Sequence, residues 1–350
     1  MSNPLKHPTL VVTGITGFLG SHMALEALRR GHHVRGTLRR MERADHVQSV
    51  LERALGETAS DALSRLTFHE ADLLSPDGWT DIVAGADAVL HVASPFPLGV
   101  PKQESDLVEP ARKGVQHVFD ACVQTGVTRL VQTSSTVAIM YGHGRGRMQF
   151  DERDWTDLGG GMISAYIKSK TLAELDVWMM AKQANEISVS TVNPGFILGP
   201  VLDPEDVGTS CDVILKMMKG DYPGVPKLGY PTVDVRDVVD LHFHVLEDDD
   251  AAGERYAAAA GTLPFRDLAS ALREAFPKEA RKVGARELPN WFLRVFSLFE
   301  PTTRVVVPEL GYMPEVAHEK ATAQYGWTPR PAKEAAVASA QSLIDLGHIG

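Results

Sequence analysis

The chain has 350 residues, 44% of them hydrophobic and 23% charged, the profile of a folded protein with a substantial core. With 45 acidic against 35 basic residues the formal net charge is −10, and no basic tract offsets it, which argues against nucleic acid or an anionic membrane as partner. Cys122 and Cys211 are too few for a disulfide framework or a four-cysteine zinc site.

Residues 1–8 carry no apolar signal-peptide segment and run directly into what reads as a first strand. No stretch of about 18 uninterrupted apolar residues is present to span a bilayer, so a cytoplasmic location is expected. Thr9–Thr13 is a short apolar, β-branched run that reads as a strand buried on both faces. After a glycine turn, Ser21–Arg30 places Met23, Ala24, Ala27 and Leu28 at helical spacing, and Gly31 supplies a stop. Strand signals recur at His33–Leu38, Leu66–Glu70, Ala88–Val92, Arg129–Thr133 and Ser188–Asn193. Helix-like segments lie between them, among them His46–Ala54, Val115–Gln124 and Lys168–Ala184. This alternation predicts an α/β fold, a parallel sheet with helices on both faces.

From Gly195 onward the pattern is broken by Pro200, Pro204, Pro223, Pro226 and Pro231, with later helices predicted at Leu263–Phe276 and Ala332–Leu346. Asp248-Asp249-Asp250 reads as a solvated loop, and His91, His143, His242 and His244 have no carboxylates at metal-ligand spacing, so no metal is expected. The second half reads as a small lobe laid over the sheet.

Gly14-Ile15-Thr16-Gly17-Phe18-Leu19-Gly20 follows the first strand and opens the first helix. Glycines at steps of three allow a tight turn and leave amide N–H groups and the positive helix end facing a pyrophosphate. At the end of the second strand an NAD site usually has an acid for the ribose 2′-hydroxyl. This chain has Arg39 and Arg40 there, followed by Arg43, and a guanidinium grips a 2′-phosphate in a fork. NADP(H) is therefore the expected cofactor. Asp72-Leu73, after the third strand, suits a contact with the adenine edge.

Tyr166 and Lys170 stand four residues apart and share a face if helical. A free phenol titrates near pH 10, and a neighbouring ammonium is expected to lower that towards the working range. Lys168 is one residue out of register. The strand ending at Thr133 leads into Ser134-Ser135-Thr136, where a hydroxyl beyond the strand end can reach a substrate carbonyl.

Taken together these stretches resemble an extended short-chain dehydrogenase/reductase, and more narrowly the dihydroflavonol-4-reductase-like group of aldehyde and ketone reductases. The matching stretches include Thr13–Gly20, Val34–Arg39, Val89–Pro95, Thr133–Ser135, Tyr166–Glu174, Asn193–Gly195, Val233–Val238 and Gly326–Pro329. The resemblance implies a Rossmann-type doubly wound sheet over residues 1–194, with segments near 228–260 returning to it. Residues 195–227 and 261–350 would form a smaller C-terminal substrate-binding lobe.

The resemblance further makes Tyr166 the general acid in reduction, Lys170 its tuning partner and ribose ligand, and Ser135 the group that orients the carbonyl, with Ser134 second to it. Gly14, Thr16, Gly17, Phe18 and Leu19 would line the pyrophosphate, and Arg39, assisted by Arg40 or Arg43, the 2′-phosphate. Val92, Ala93 and Ser94 would flank the cofactor, and Pro194 and Gly195 would back the nicotinamide. Phe96, Met140, Trp155, Met162 and Phe196 are candidates to line the substrate pocket. The chain departs from plant members at Ser135-Thr136-Val137-Ala138 and in the basic, glycine-rich Gly142–Arg147, both near the substrate.

The expected activity is NADPH-dependent reduction of a small or aromatic carbonyl compound, by a monomer or homodimer. An alcohol or 3β-hydroxysteroid-like dehydrogenase, a nucleotide-sugar epimerase or dehydratase, and a non-catalytic redox sensor are the alternatives.

Overall fold

The computed structural model describes residues 7–94, 103–184, 186–298, 304 and 306–350. Seven strands, numbered in chain order, form one parallel sheet: β1 Thr9–Val12, β2 His33–Leu38, β3 Leu66–Glu70, β4 Ala88–His91, β5 Arg129–Thr133, β6 Ser188–Pro194 and β7 Arg255–Ala258. Their spatial order is β7-β6-β5-β4-β1-β2-β3. The order reverses between β1 and β4, so their C-terminal ends open a crevice there. It is a Rossmann-like sheet.

Alternation along the strands assigns the two faces. Leu10, Val12, Leu90 and Val131 pack in one cluster with Met23, Leu28, Leu51 and Phe243. These come from α1 (Phe18–Arg29), α2 (Ala44–Leu55) and a later helix, Val235–Glu247. Their neighbours Val11, Val89 and Leu130 point the other way, onto Val115, Val118, Phe119 and Val177 of α3 (Ser105–Thr125) and α4 (Ala165–Ala181). Each such side chain contributes roughly 1.5–3 kcal/mol by leaving water, so a charge at Val11, fully buried, would break the layer.

The helix expected at Lys168–Ala184 begins three residues earlier, because Ser164 caps it by accepting the Ile167 amide at 3.3 Å. That shift places Tyr166 in the first turn of α4. The later part of the chain builds a separate apolar cluster from α5 (Thr209–Lys219), Phe265–Ala275 and Ala332–Asp345, with Ile214, Met218, Leu268, Leu272, Ala336 and Leu343 at its centre. The strand Arg255–Ala258 returns to the edge of the main sheet beside β6.

His242 and His244 lie on Val235–Glu247, the first buried and the second directed outward. Asp249, at the acidic triplet, pairs with Arg129 at 2.7 Å. Among the described residues no helix is long and apolar enough to cross a membrane.

Candidate active site

The turn after β1 is held by close packing. Gly14 has φ +71°, and a Cβ there would stand 2.9 Å from the Ala93 Cβ, while one on Gly20 would stand 2.1 Å from the Gly14 carbonyl oxygen. Both positions therefore need glycine for the turn to close on the helix. Thr37 fixes the turn from β2: its Oγ1 accepts the Gly14 amide at 3.0 Å and its carbonyl accepts the Ile15 amide at 3.1 Å. Gly17 caps α1 without a side-chain bond, so the first-turn amides carry the helix's positive end towards the crevice. Thr16, Phe18 and Leu19 are half-buried around it.

Thr13 closes the other side. Its Oγ1 accepts the amides of Val92 and Ala93 at 3.0 and 2.9 Å, and stands 3.0 Å from His91 Nδ1. Burial, with the Lys170 ammonium adding to it, pushes His91 down to about 3, so the ring is neutral. Thr13 donates to it, and the segment Val92–Ser94 is pinned half-buried along the crevice.

Arg39 and Arg40 are exposed at the end of β2, and neither forms an ion pair among the described residues. Arg43 is already engaged, 2.6 Å from Glu205 and 3.5 Å from Asp203, and His46 stands 2.8 Å from Asp203. Asp72 closes its own turn by accepting the Leu74 amide at 2.9 Å. Leu73 is core: it is buried against Gly114, and its carbonyl bonds His117 at 3.0 Å.

At the reacting end, a hydrogen bond links Tyr166 to Ser135. Ser135 Oγ lies 3.4 Å from the Pro194 carbonyl and accepts the Val137 amide at 3.3 Å. Pro194 is buried at the end of β6, and the Gly195 amide donates to the Ala258 carbonyl at 3.0 Å. Tyr166 and Lys170 follow one another by a single turn on α4. Lys168 points away and pairs with Glu104 at 2.6 Å.

The expectation that the lysine lowers the phenol does not hold in this structure. Burial pushes Tyr166 up to about 12, with the Ser135 bond acting the other way. Lys170 is itself drawn down to about 8 by burial, which Glu174 opposes. Both groups still carry their protons at neutral pH.

Glu174 was not singled out from the sequence. It is fully buried one turn beyond Lys170 and collects donors from three strand ends. Asn193 Nδ2 reaches it at 2.7 Å, Arg255 Nε at 2.6 Å and Thr191 Oγ1 at 3.3 Å, and Ser134 Oγ donates to it as well. Ser134 thus faces the interior, and Ser135 faces Tyr166.

The substrate-lining candidates divide. Met140 is buried in a cluster with Ile139, Tyr141 and Tyr312, and its carbonyl accepts the Tyr312 hydroxyl, so it is core. Trp155 is half-buried with the Arg255 guanidinium 3.8 Å above its ring. Met162 is half-buried with φ +62°, an uncommon backbone for a side chain of this length. Phe196 is half-buried, its ring 5.8 Å from that of Tyr230. Phe96 lies outside the described residues.

Residues 10–259 match the NAD-dependent epimerase/dehydratase family, and the chain belongs to it. It is an extended short-chain dehydrogenase/reductase, an oxidoreductase of the carbonyl–alcohol pair. Cinnamoyl-CoA reductase CAD2 of Medicago truncatula is 31% identical over 286 residues, 79% of this chain and 83% of that one. An anthocyanidin reductase of Vitis vinifera is 31% identical over 292 residues, with the same coverages of 79% and 83%. The fold is that of yeast methylglyoxal/isovaleraldehyde reductase Gre2 complexed with NADPH, at TM-score 0.79 and 22% identity, covering 97% of this chain and 100% of that one.

The residues present fit a nicotinamide dinucleotide: an uncapped helix end behind two packed glycines, a pinned strand end at Val92–Ser94, and exposed arginines after β2.

Proposed function

We propose that this chain reduces a small or aromatic aldehyde, ketone or dihydroflavonol-like carbonyl compound to the alcohol, using NADPH. The observation that carries the reading is the hydrogen bond between Tyr166 and Ser135, with the phenol pushed up to about 12. A proton donor for reduction has to be protonated at the working pH, and this one is.

When bound, NADPH supplies the hydride. The first-turn amides of α1 hold its pyrophosphate, and Arg39 and Arg40, free of acids among the described residues, take the 2′-phosphate. Ser135 holds the carbonyl oxygen beside the Tyr166 hydroxyl, which gives its proton to the developing alkoxide. Lys170, cationic at neutral pH, binds ribose and steadies the phenolate that remains. The relatives' names, cinnamoyl-CoA reductase and anthocyanidin reductase, support the reductive direction and an aromatic substrate class.

The test is loss of NADPH absorbance against aromatic aldehydes, α-diketones and dihydroflavonols, with Tyr166→Phe and an NADH control alongside. Turnover needing NADPH and reduced roughly 10²–10⁴-fold by the Phe variant is expected. Full turnover by that variant, or preference for NADH, would sink the reading.

A further inference from the structure

We propose that Glu174 and Arg255 are positioning residues for the reaction: together they hold Lys170 and Ser135 from behind and tie both to the loop carrying Trp155. This rests on the reading of Tyr166 and Lys170 given above and adds to it how the pair is held.

Tyr166, Lys170 and Glu174 are spaced by four residues along α4, so they stack on one helix face. The first meets Ser135, the second lies near His91, and the third ends in the carboxylate that Ser134, Thr191, Asn193 and Arg255 surround. Asn193 Nδ2 also stands 3.3 Å from the Ser135 carbonyl, so one amide spans Glu174 and the backbone of the serine that meets Tyr166. Arg255 extends the connection outward. Its Nη1 donates to the carbonyls of Glu152 and Asp154 at 2.6 and 2.7 Å, and its guanidinium covers the ring of Trp155. A single guanidinium therefore joins the buried carboxylate to the loop that carries Trp155.

Filling space between helix and sheet needs no charge. An apolar side chain of similar volume would do that without desolvating a carboxylate. The charge has a use in the Lys170 ammonium one turn away. Among the described residues, Glu174 on its own helix is the charged group acting on Lys170, the neutral His91 on β4 feels the ammonium in turn, and Arg255 stands behind Glu174. Glu174 is thus the anion that opposes the effect of burial on Lys170. Arg255 holds that anion in place and leaves one carboxylate edge for Asn193 and Ser134.

Two substitutions separate this role from a merely structural one. Glu174→Gln keeps the volume and removes the charge, so the alkaline limb of the reductase pH profile should move to lower pH by about one unit. Its kcat should fall about tenfold while NADPH affinity, read by fluorescence titration, stays close to the parent's, and Glu174→Asp should restore part of the limb. Arg255→Lys keeps a cation beside Glu174 but lacks the second nitrogen, through which the guanidinium reaches the loop carbonyls while Nε holds Glu174. It should raise KM for the carbonyl substrate about tenfold and leave the pH profile in place. A Glu174→Gln enzyme with lowered thermal stability but an unmoved limb and kcat overturns the proposal. Should that variant not fold, an unchanged KM in Arg255→Lys overturns it. Tyr166→Phe in the same series keeps the two readings apart, because full turnover there defeats the function itself, whatever Glu174 does.

Discussion

Thr13 and His91 meet through a buried hydrogen bond of 3.0 Å that an imidazole can accept only while it is neutral. The same threonine oxygen takes two amides from the residues after β4. Thr13→Val should leave those donors and the imidazole nitrogen without partners, costing about 1–3 kcal/mol for the unmet groups. Urea unfolding should show a lower midpoint, and NADPH titration a weaker affinity. A variant as stable as the parent would mean that the strand end is held by something else.

His91 is one of three buried histidines held neutral. Burial pushes His22 and His242 down to about 4 and His91 to about 3. In the unfolded chain each takes a proton near pH 6.5, so the unfolded state binds more protons below that pH and stability falls as the pH falls. The contribution is intact above pH 6.5 and is lost through the range down to pH 4 and 3. At pH 5 each histidine should have removed up to about 2 kcal/mol, and urea midpoints at pH 7 and pH 5 check it. Equal midpoints would show that these rings do not titrate as their burial dictates.

The 2′-phosphate side separates Arg40 and Arg43, which the sequence left as alternative helpers of Arg39. Arg39 and Arg40 are exposed, whereas Arg43 is committed to Glu205 and Asp203. Arg39→Ala should lower the preference for NADPH over NADH roughly 10- to 100-fold in kcat/KM, the loss of a charge-assisted fork. Arg43→Ala should leave the preference nearly unchanged. The reverse ranking would place the phosphate nearer α2.

Gly20 lies inside a helix, where alanine would ordinarily be favoured by up to about 1 kcal/mol. Here a Cβ would press against the Gly14 carbonyl at 2.1 Å, so Gly20→Ala should instead destabilise by about 1–3 kcal/mol. It should also weaken NADPH binding by moving the turn. Thermal denaturation and titration read the two effects separately.

The sheet was legible because its signal is local. Leu10, Val11 and Val12 are all apolar since one faces α3 and α4 while its neighbours face α1 and α2. The glycine turn, the serines after β5 and Tyr166–Lys170 were legible for the same reason: each is a short string placed at a strand end or helix start. Glu174 was not, because apart from Trp178 on its own helix its partners come from residues 134, 191, 193 and 255, and nothing in a helix sequence marks one glutamate as buried. Leu73 and Met140 are buried in the fold, a placement the sequence does not reveal, because an apolar residue near a strand end reads alike whether it faces a ligand or the core. The direction of the Tyr166 shift was misjudged for a related cause. Spacing reveals the lysine, but desolvation depends on the tertiary surroundings.

Arg255 sits on β7, the last strand of the sheet in sequence and the outermost beside β6. Its partner Glu174 lies 81 residues earlier. Such a distant pairing forms slowly compared with contacts inside a helix, because the intervening chain must first be closed into a loop. During refolding, helical signal and burial of the central strands can return while the edge strand is still undocked. The reacting centre would then be present in outline but unsupported, and recovery of turnover would lag behind recovery of structure.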